Sequence, residues 1–299
     1  MTTTATAQGR KSPALSVSPK PKPFVKWVGG KRQLLQQFKD IGVLPPADFD
    51  VQRHTYHEPF VGGGAVFFEL LPKKAVLSDI NQELVITYNI IKSDVESLIR
   101  ELGRAKYQYD KEKFLTIRAY EASSLSELEV AARFIYLNRT AFNGMYRVNK
   151  SGQFNVPFGR YNDPLICDTS NLRAVSQALQ KVKIQYEDYR KVLDRARSGD
   201  FVYFDPPYYP VSKTASFTAY TADGFEEQQQ VELYDTFFEL HERGCNVALS
   251  NSDTPFIHDL FAPYTKKGIT IHKVQAGRNV NSKATGRGKV YEVLVKNYG

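Results

Sequence analysis

The chain has 299 residues, with 40 Lys and Arg against 32 Asp and Glu for a net charge of +8, and its 42% hydrophobic content with 19 Phe and 18 Tyr excludes a wholly disordered polymer. Two cysteines, Cys167 and Cys245, with no CxxC and no Cys/His cluster, exclude a disulfide-stapled secreted fold and a structural zinc site. No apolar run approaches the roughly 18 residues of a membrane span, so the sequence reads as a soluble protein of a reducing, cytoplasmic compartment, without metal.

Residues 1–22 are rich in Thr, Ser, Pro and Lys with little to bury, which reads as a disordered basic tail; its lack of acids also allows a transit peptide. From Phe24 the composition changes. The stretch HTYHEPFVGGGAVFFELL (54–71) predicts a strand end, a Gly-rich turn and a helix with Val66, Phe67 and Leu70 on one face. AVLSDI (75–80) reads as a short buried strand closed by Asp79, followed by a helix over NQELVITYNIIK. Residues 94–140 are mostly helical by spacing, with Val95, Leu98, Ile99 and Leu102, then Val130, Phe134, Ile135 and Leu137. NKSG (149–152) between Val148 and Phe154 predicts a hairpin. Beyond Asp163 an α/β rhythm returns: VKIQYED, the strand of DFVYFDPPYY, a helix with Val231, Tyr234, Phe237, Phe238 and His241 on one stripe, the strand of CNVALSNSD, and the β-rich runs ITIHKV and KVYEVLV. Such alternation predicts a mostly parallel sheet with helices on both faces. The expected organisation is a catalytic domain from 23–80 and 168–299, interrupted by a helical and hairpin subdomain over 81–167.

The charge is unevenly distributed. Residues 1–39, 130–162 and 260–291 contain no Asp or Glu and hold 20 Lys and Arg, which leaves 20 basic against 32 acidic residues elsewhere, a balance of −12. Solvated faces account for the tail. In the other two stretches Phe, Tyr, Asn and Gly are interleaved with the charges, a mixture that suits phosphate contact with base stacking.

Three segments could carry chemistry. Asp205-Pro206-Pro207-Tyr208 follows a buried strand, where open α/β sheets place ligands. Its prolines lack N–H donors, so the segment offers only acceptors beside an aromatic ring, a receptor for a planar amine. A plain turn is the alternative. FVGGG (60–64) is either a tight turn or a backbone approach to a ligand, and Asp79 either a ribose-binding acid or, with Gln82, a helix capping box. FVKWVGGKR (24–32) holds the only Trp; it is not a P-loop, and Lys26 and Lys31 could simply snorkel. The absence of a Pro-Cys dipeptide argues against thiolate attack on a pyrimidine, and the absence of HxE with PCxxC excludes the zinc deaminase arrangement.

Taken in order, Lys26-Trp27-x-Gly-Gly-Lys31, Glu58-Pro-Phe-Val-Gly, Ser78-Asp-Ile-Asn, Asn138-Arg-x-x-Phe-Asn-Gly-Met-Tyr-Arg147, Phe154-Asn-Val-Pro-Phe-Gly-Arg-Tyr161 and Asp205-Pro-Pro-Tyr resemble the Dam-type DNA adenine-N6 methyltransferases that act at GATC. The resemblance runs from about residue 24 to the C-terminus. It implies a Rossmann-like S-adenosylmethionine-dependent methyltransferase sheet with an inserted DNA-recognition subdomain, double-stranded DNA as partner, and a monomer associated with the nucleoid. It implies that Trp27, Lys31, Phe60, Gly62, Asp79, Ile80, Asp188, Tyr189 and Asp205 form the S-adenosyl-L-methionine pocket, and that Asp205, Pro206, Pro207 and Tyr208 are catalytic. It further implies DNA contacts by Lys26, Arg139, Phe142, Asn143, Met145, Arg147, Pro157, Arg160 and Tyr161, while the charge partition adds Lys283 and Arg287 of the 275–289 loop as DNA contacts blind to sequence. A related enzyme acting on cytosine N4 or an RNA base, and a non-enzymatic DNA-binding relic, are the rival readings.

Overall fold

The structure is a computed structural model that describes residues 19–149, 151–211, 225–277 and 289–299. Residues 1–18 of the expected tail, and Lys283 and Arg287, lie outside the described residues.

Seven strands form one sheet in the order β3-β2-β1-β4-β5-β7-β6: β1 (Tyr56–Glu58), β2 (Ala75–Asp79), β3 (Val182–Tyr186), β4 (Phe201–Phe204), β5 (Asn246–Ser252), β6 (Thr270–Gly277) and β7 (Lys289–Lys296). The first five in that order are parallel, and β7 runs antiparallel to both β5 and β6. β4 and β5 are fully buried along their length, as expected for strands covered on both faces. Strand order reverses between β1 and β4, so their carboxyl ends flank the crevice where such sheets bind ligands.

The helices are α1 (Leu35–Asp40), α2 (Ala65–Leu70), α3 (Gln82–Leu102), α4 (Lys111–Arg118), α5 (Glu127–Thr140), α6 (Thr169–Leu179), α7 (Glu227–Glu242) and α8 (Pro255–Phe261). The N-cap of α3 is Asn81, whose side chain accepts from Leu84 N. Asp79 therefore caps no helix, contrary to the capping-box alternative: its carboxylate accepts instead from Asn81 N at 2.9 Å and Gly62 N at 3.1 Å. α3 kinks at Asp94, whose carboxylate accepts from Ser97 N and restarts the helix as an internal cap. α3 packs on both β3 and α5, joining the sheet to the helical insertion. α5 is buried nearly all round, from Val130 to Asn138, and opens with a Ser126–Glu129 capping box. The described residues on either side of the expected hairpin turn pair, with Val148 bridged to Phe154 and Asn149 N donating to Gln153 O.

The expected stripe on α7 is rotated. Leu233, Phe237 and Leu240 enter the core beside buried Gln230 and Thr236, while Val231 is 38% exposed. Tyr234 and Phe238 pack sideways on Phe261 and Tyr264, so an aromatic seam with α8 competes with the sheet for the apolar residues of this helix. The start of the chain differs too: Lys22 N donates to Asn171 Oδ1 and its carbonyl accepts from Asn171 Nδ2, so residue 22 is fastened to α6.

Candidate active site

The carboxyl ends of β1, β2 and β4 bring Glu58, Asp79 and Asp205 to one edge of the sheet. Asp205 leaves β4 as the chain enters two prolines that cannot extend the ladder. Its Oδ1 is 2.7 Å from the Nζ of Lys31, which is 2% exposed. Lys31 therefore does not snorkel: its ammonium is held between Asp205, the Gly29 carbonyl and the face of Tyr208, 4.8 Å from the ring centroid. Burial raises the Asp205 carboxyl to about 6, with Lys31 opposing the rise and Glu292 adding to it. Glu58 is raised to about 8, chiefly by burial, while Tyr56 Oη and Phe67 N donate to its Oε2.

Side chains from three other elements fix the segment after β4. Tyr209 N donates to Asn251 Oδ1 at 3.0 Å, Asn251 Nδ2 to Gln230 Oε1 at 2.9 Å, and Gln230 Nε2 to Pro207 O at 2.9 Å. Both amide side chains are buried, so this chain of bonds clamps the backbone on either side of Tyr208. The Tyr208 hydroxyl donates to Glu292 Oε2 on β7 at 2.8 Å.

A second group lines the neighbouring part of the edge. Gly62 has φ +46, and a Cβ there would lie 2.5 Å from the Trp27 ring, so only glycine lets these segments touch. Phe60 stacks on Tyr189 at 5.2 Å and meets Phe225 edge-on at 5.8 Å. The Tyr189 hydroxyl is buried without a partner among the described residues. Burial raises Asp79 to about 6, opposed by its backbone N–H bonds. Ile80, just past β2, is 44% exposed. Asp188 begins the turn that carries Tyr189 and accepts from Arg190 N and Nε. A cluster of aromatic rings, a bare glycine backbone, a carboxylate and an unanswered hydroxyl fit an adenosine-bearing cofactor. Among the described residues no His, Cys, Asp and Glu group could hold a metal ion, and no helix is long and apolar enough to cross a membrane.

The insertion supplies an exposed face beside this edge. Phe142 is 44% exposed, and Asn143, Arg147, Pro157 and Arg160 are exposed around it. Phe142 N donates to Pro157 O, and Arg147 Nε to Asn155 Oδ1 at 2.7 Å. Lys26 Nζ sits 4.4 Å over the Tyr161 ring, and a Cβ on Gly144 would meet the Lys26 side chain at 2.4 Å. Met145 is half-buried against the core. Arg139 does not join this face: its Nη2 donates inward to Phe24 O at 2.7 Å. Asn138 binds the Lys26 backbone in both directions and also donates to Gly144 O, tying the first segment to the insertion.

Sequence reasoning gave no role to Gln230, Asn251 or Glu292. The two amides leave no local signature. Glu292 does, as a lone acid in the apolar run VYEVLV.

The chain is similar to known proteins over most of its length. Residues 27–280 match the model of a family described as D12 class N6 adenine-specific DNA methyltransferase. The chain is 44% identical over 284 residues to the type II methyltransferase M1.LlaDCHI of Lactococcus lactis subsp. cremoris, covering 93% of this chain and 96% of the relative. It is 42% identical over 293 residues to the type II methyltransferase M.MjaIII of Methanocaldococcus jannaschii, covering 93% and 99%. It is also 35% identical over 274 residues to the DNA adenine methylase of Escherichia coli K12, covering 91% and 93%.

Proposed function

The chain belongs to the D12 class N6 adenine-specific DNA methyltransferases, and from that premise we propose that it methylates the adenine of GATC after flipping that base out of the duplex. The observation that carries the reading is the Asp205–Lys31 pair beside Tyr208, at the sheet edge where β1 and β4 diverge. S-adenosylmethionine, when bound, supplies an electrophilic methyl carbon. Phe60, Gly62, Asp79, Ile80, Asp188 and Tyr189 are the residues that would hold it, with Trp27 and Lys31 bordering them.

The lone pair of the adenine N6 is delocalised into the ring, which makes the amine a poor nucleophile. The Asp205 carboxylate and the Pro206 carbonyl would accept its two N–H bonds and favour a pyramidal nitrogen. Tyr208 would stack on the extruded base through the ring face opposite Lys31, compensating for the stacking lost from the duplex. Preorganised acceptors and positioning then provide the acceleration, with no covalent intermediate. Lys26 and Arg147 would read base pairs, Phe142 and Met145 would wedge into the duplex, and Asn143, Pro157, Arg160 and Tyr161 would hold its backbone. Asn251 and Gln230 support the reading by fixing the loop that bears Pro206 and Tyr208.

The test is tritiated S-adenosylmethionine with a GATC duplex beside a scrambled one, followed by nucleoside analysis of the product. Label in N6-methyladenine confined to the GATC duplex is expected; equal label in both duplexes would remove the site assignment. Asp205→Ala should abolish methyl transfer and spare DNA binding, and retained turnover would overturn the mechanism.

A further inference from the structure

We propose that Glu292, on β7, is a positioning residue for methyl transfer: it fixes the orientation of the Tyr208 ring that receives the target base. The inference rests on the reading of Tyr208 and Asp205 given above. The backbone on both sides of Tyr208 is already immobilised, through Pro207 O by Gln230 and through Tyr209 N by Asn251. What the clamp leaves free is rotation of the tyrosine side chain. One end of that freedom is limited by Lys31, whose Nζ lies 4.8 Å from the ring centroid. The other is fixed by the hydroxyl, which donates to Glu292 Oε2 at 2.8 Å.

The carboxylate can do this because β7 runs antiparallel beside β5, and Glu292 is paired with Ser252 at the carboxyl end of β5. A strand of opposite direction inserted at this point sends its residue 292 to the same edge that the parallel strands reach with their C-termini. A ring held at both its face and its hydroxyl presents a preformed stacking surface, so a base entering the site loses no further rotational freedom of the protein.

Glu292 also acts on Asp205 through space. The charged and titratable groups facing Asp205 are Lys31 from the first turn, Tyr56 and Glu58 from β1, Tyr203 from β4, Tyr208 of its own loop, and Glu292 from β7. Of these, Lys31 and, less strongly, the Tyr208 hydroxyl favour the ionised carboxylate, whereas Glu292 disfavours it. Glutamine at 292 keeps an acceptor oxygen for the Tyr208 hydroxyl and removes the charge, which separates the two effects.

The experiment measures single-turnover methylation of a GATC duplex at saturating cofactor across pH, for wild type, Glu292→Gln, Glu292→Ala, Tyr208→Phe and the Glu292→Ala/Tyr208→Phe double variant. Glu292→Ala and Tyr208→Phe should each slow the step by about 10- to 100-fold with KM for DNA changed by less than about 3-fold, and the double variant should be no slower than either. Glu292→Gln should retain most of the rate, with its acid limb displaced to lower pH. Additive losses in the double variant, or an acid limb in Glu292→Gln that coincides with wild type, would overturn the proposal. Asp205→Ala, run alongside, separates this inference from the reading beneath it: an active Asp205→Ala removes the acceptor assignment itself, whereas an inactive one with either adverse result removes only the role of Glu292.

Discussion

Lys31 and Asp205 form an ion pair with the ammonium almost wholly out of solvent, Nζ to Oδ1 2.7 Å, at the point where the parallel strands end. A lysine brought to 2% exposure needs such a partner, because an unpaired buried charge is costly. The same pairing keeps the Asp205 carboxyl below the value that burial alone would give it.

The pH dependence of the chemical step follows. Asp205 is raised to about 6, and the form that accepts the N–H bonds is the carboxylate, so the single-turnover rate at saturating cofactor should fall on the acid side with a midpoint near pH 6. Lys31→Met removes the influence that lowers this value, and its acid limb should move to higher pH. A limb that moved to lower pH in that variant would contradict the pairing.

Glu58 should cost the protein stability as pH rises from about 4.5 to about 8. Its folded value of about 8 lies above the unfolded one, so the stability linked to it is complete below about pH 4.5 and is lost as pH rises through about 8. Glu58→Gln keeps an acceptor for Tyr56 and Phe67 and removes the titration. Urea midpoints should show the variant gaining on wild type by a few kcal/mol between pH 6 and pH 9. Parallel pH profiles for the two proteins would show that Glu58 titrates at the same pH folded and unfolded.

Gly62→Ala should weaken both the fold and cofactor binding. The added methyl would approach the Trp27 ring to 2.5 Å at a backbone φ of +46, and strain of this kind costs about 1–3 kcal/mol. Trp27 is the only tryptophan in the chain, so its fluorescence reports on this contact directly in both thermal melts and cofactor titrations. An unchanged melt and titration would mean that the two segments do not pack as described.

Arg147→Ala should cost about 1–3 kcal/mol of discrimination and relax one position of the recognised site, since a guanidinium pairs bidentately with guanine. Asn155→Ala should have a smaller effect in the same direction, because Asn155 Oδ1 orients the Arg147 Nε. Replacing Lys283 or Arg287 should instead weaken binding to all sequences alike and flatten its salt dependence. Binding competitions between GATC duplexes and single-base variants at two salt concentrations distinguish these outcomes.

Much of this site could be read along the chain because its chemistry is local. A strand that runs into Asp-Pro-Pro, a glycine turn opening a helix, and an acid closing the next short strand each declare themselves within a few residues. The hairpin at 149–152 did so through its turn residues alone. The α7 stripe was misread because an apolar residue on a helix can be claimed by either of two neighbours, and periodicity does not say which. The end of the tail was misjudged for a related reason: Lys22 is held by the side chain of Asn171, which composition near residue 22 could not reveal.

The sequence by itself determined the alternating α/β plan, the acceptor-only loop at Asp205 and the partition of charge between an acidic scaffold and basic stretches, since each depends on residue type and short spacing. The tertiary structure alone decided that Lys31 is a buried partner of Asp205 rather than a surface cation, that Arg139 turns inward, and that Gln230, Asn251 and Glu292 converge on Tyr208. Those outcomes depend on which strand lies beside which and in what direction. The reversed β7 is the clearest case: only the sheet order places residue 292 at the edge where residue 205 ends its strand.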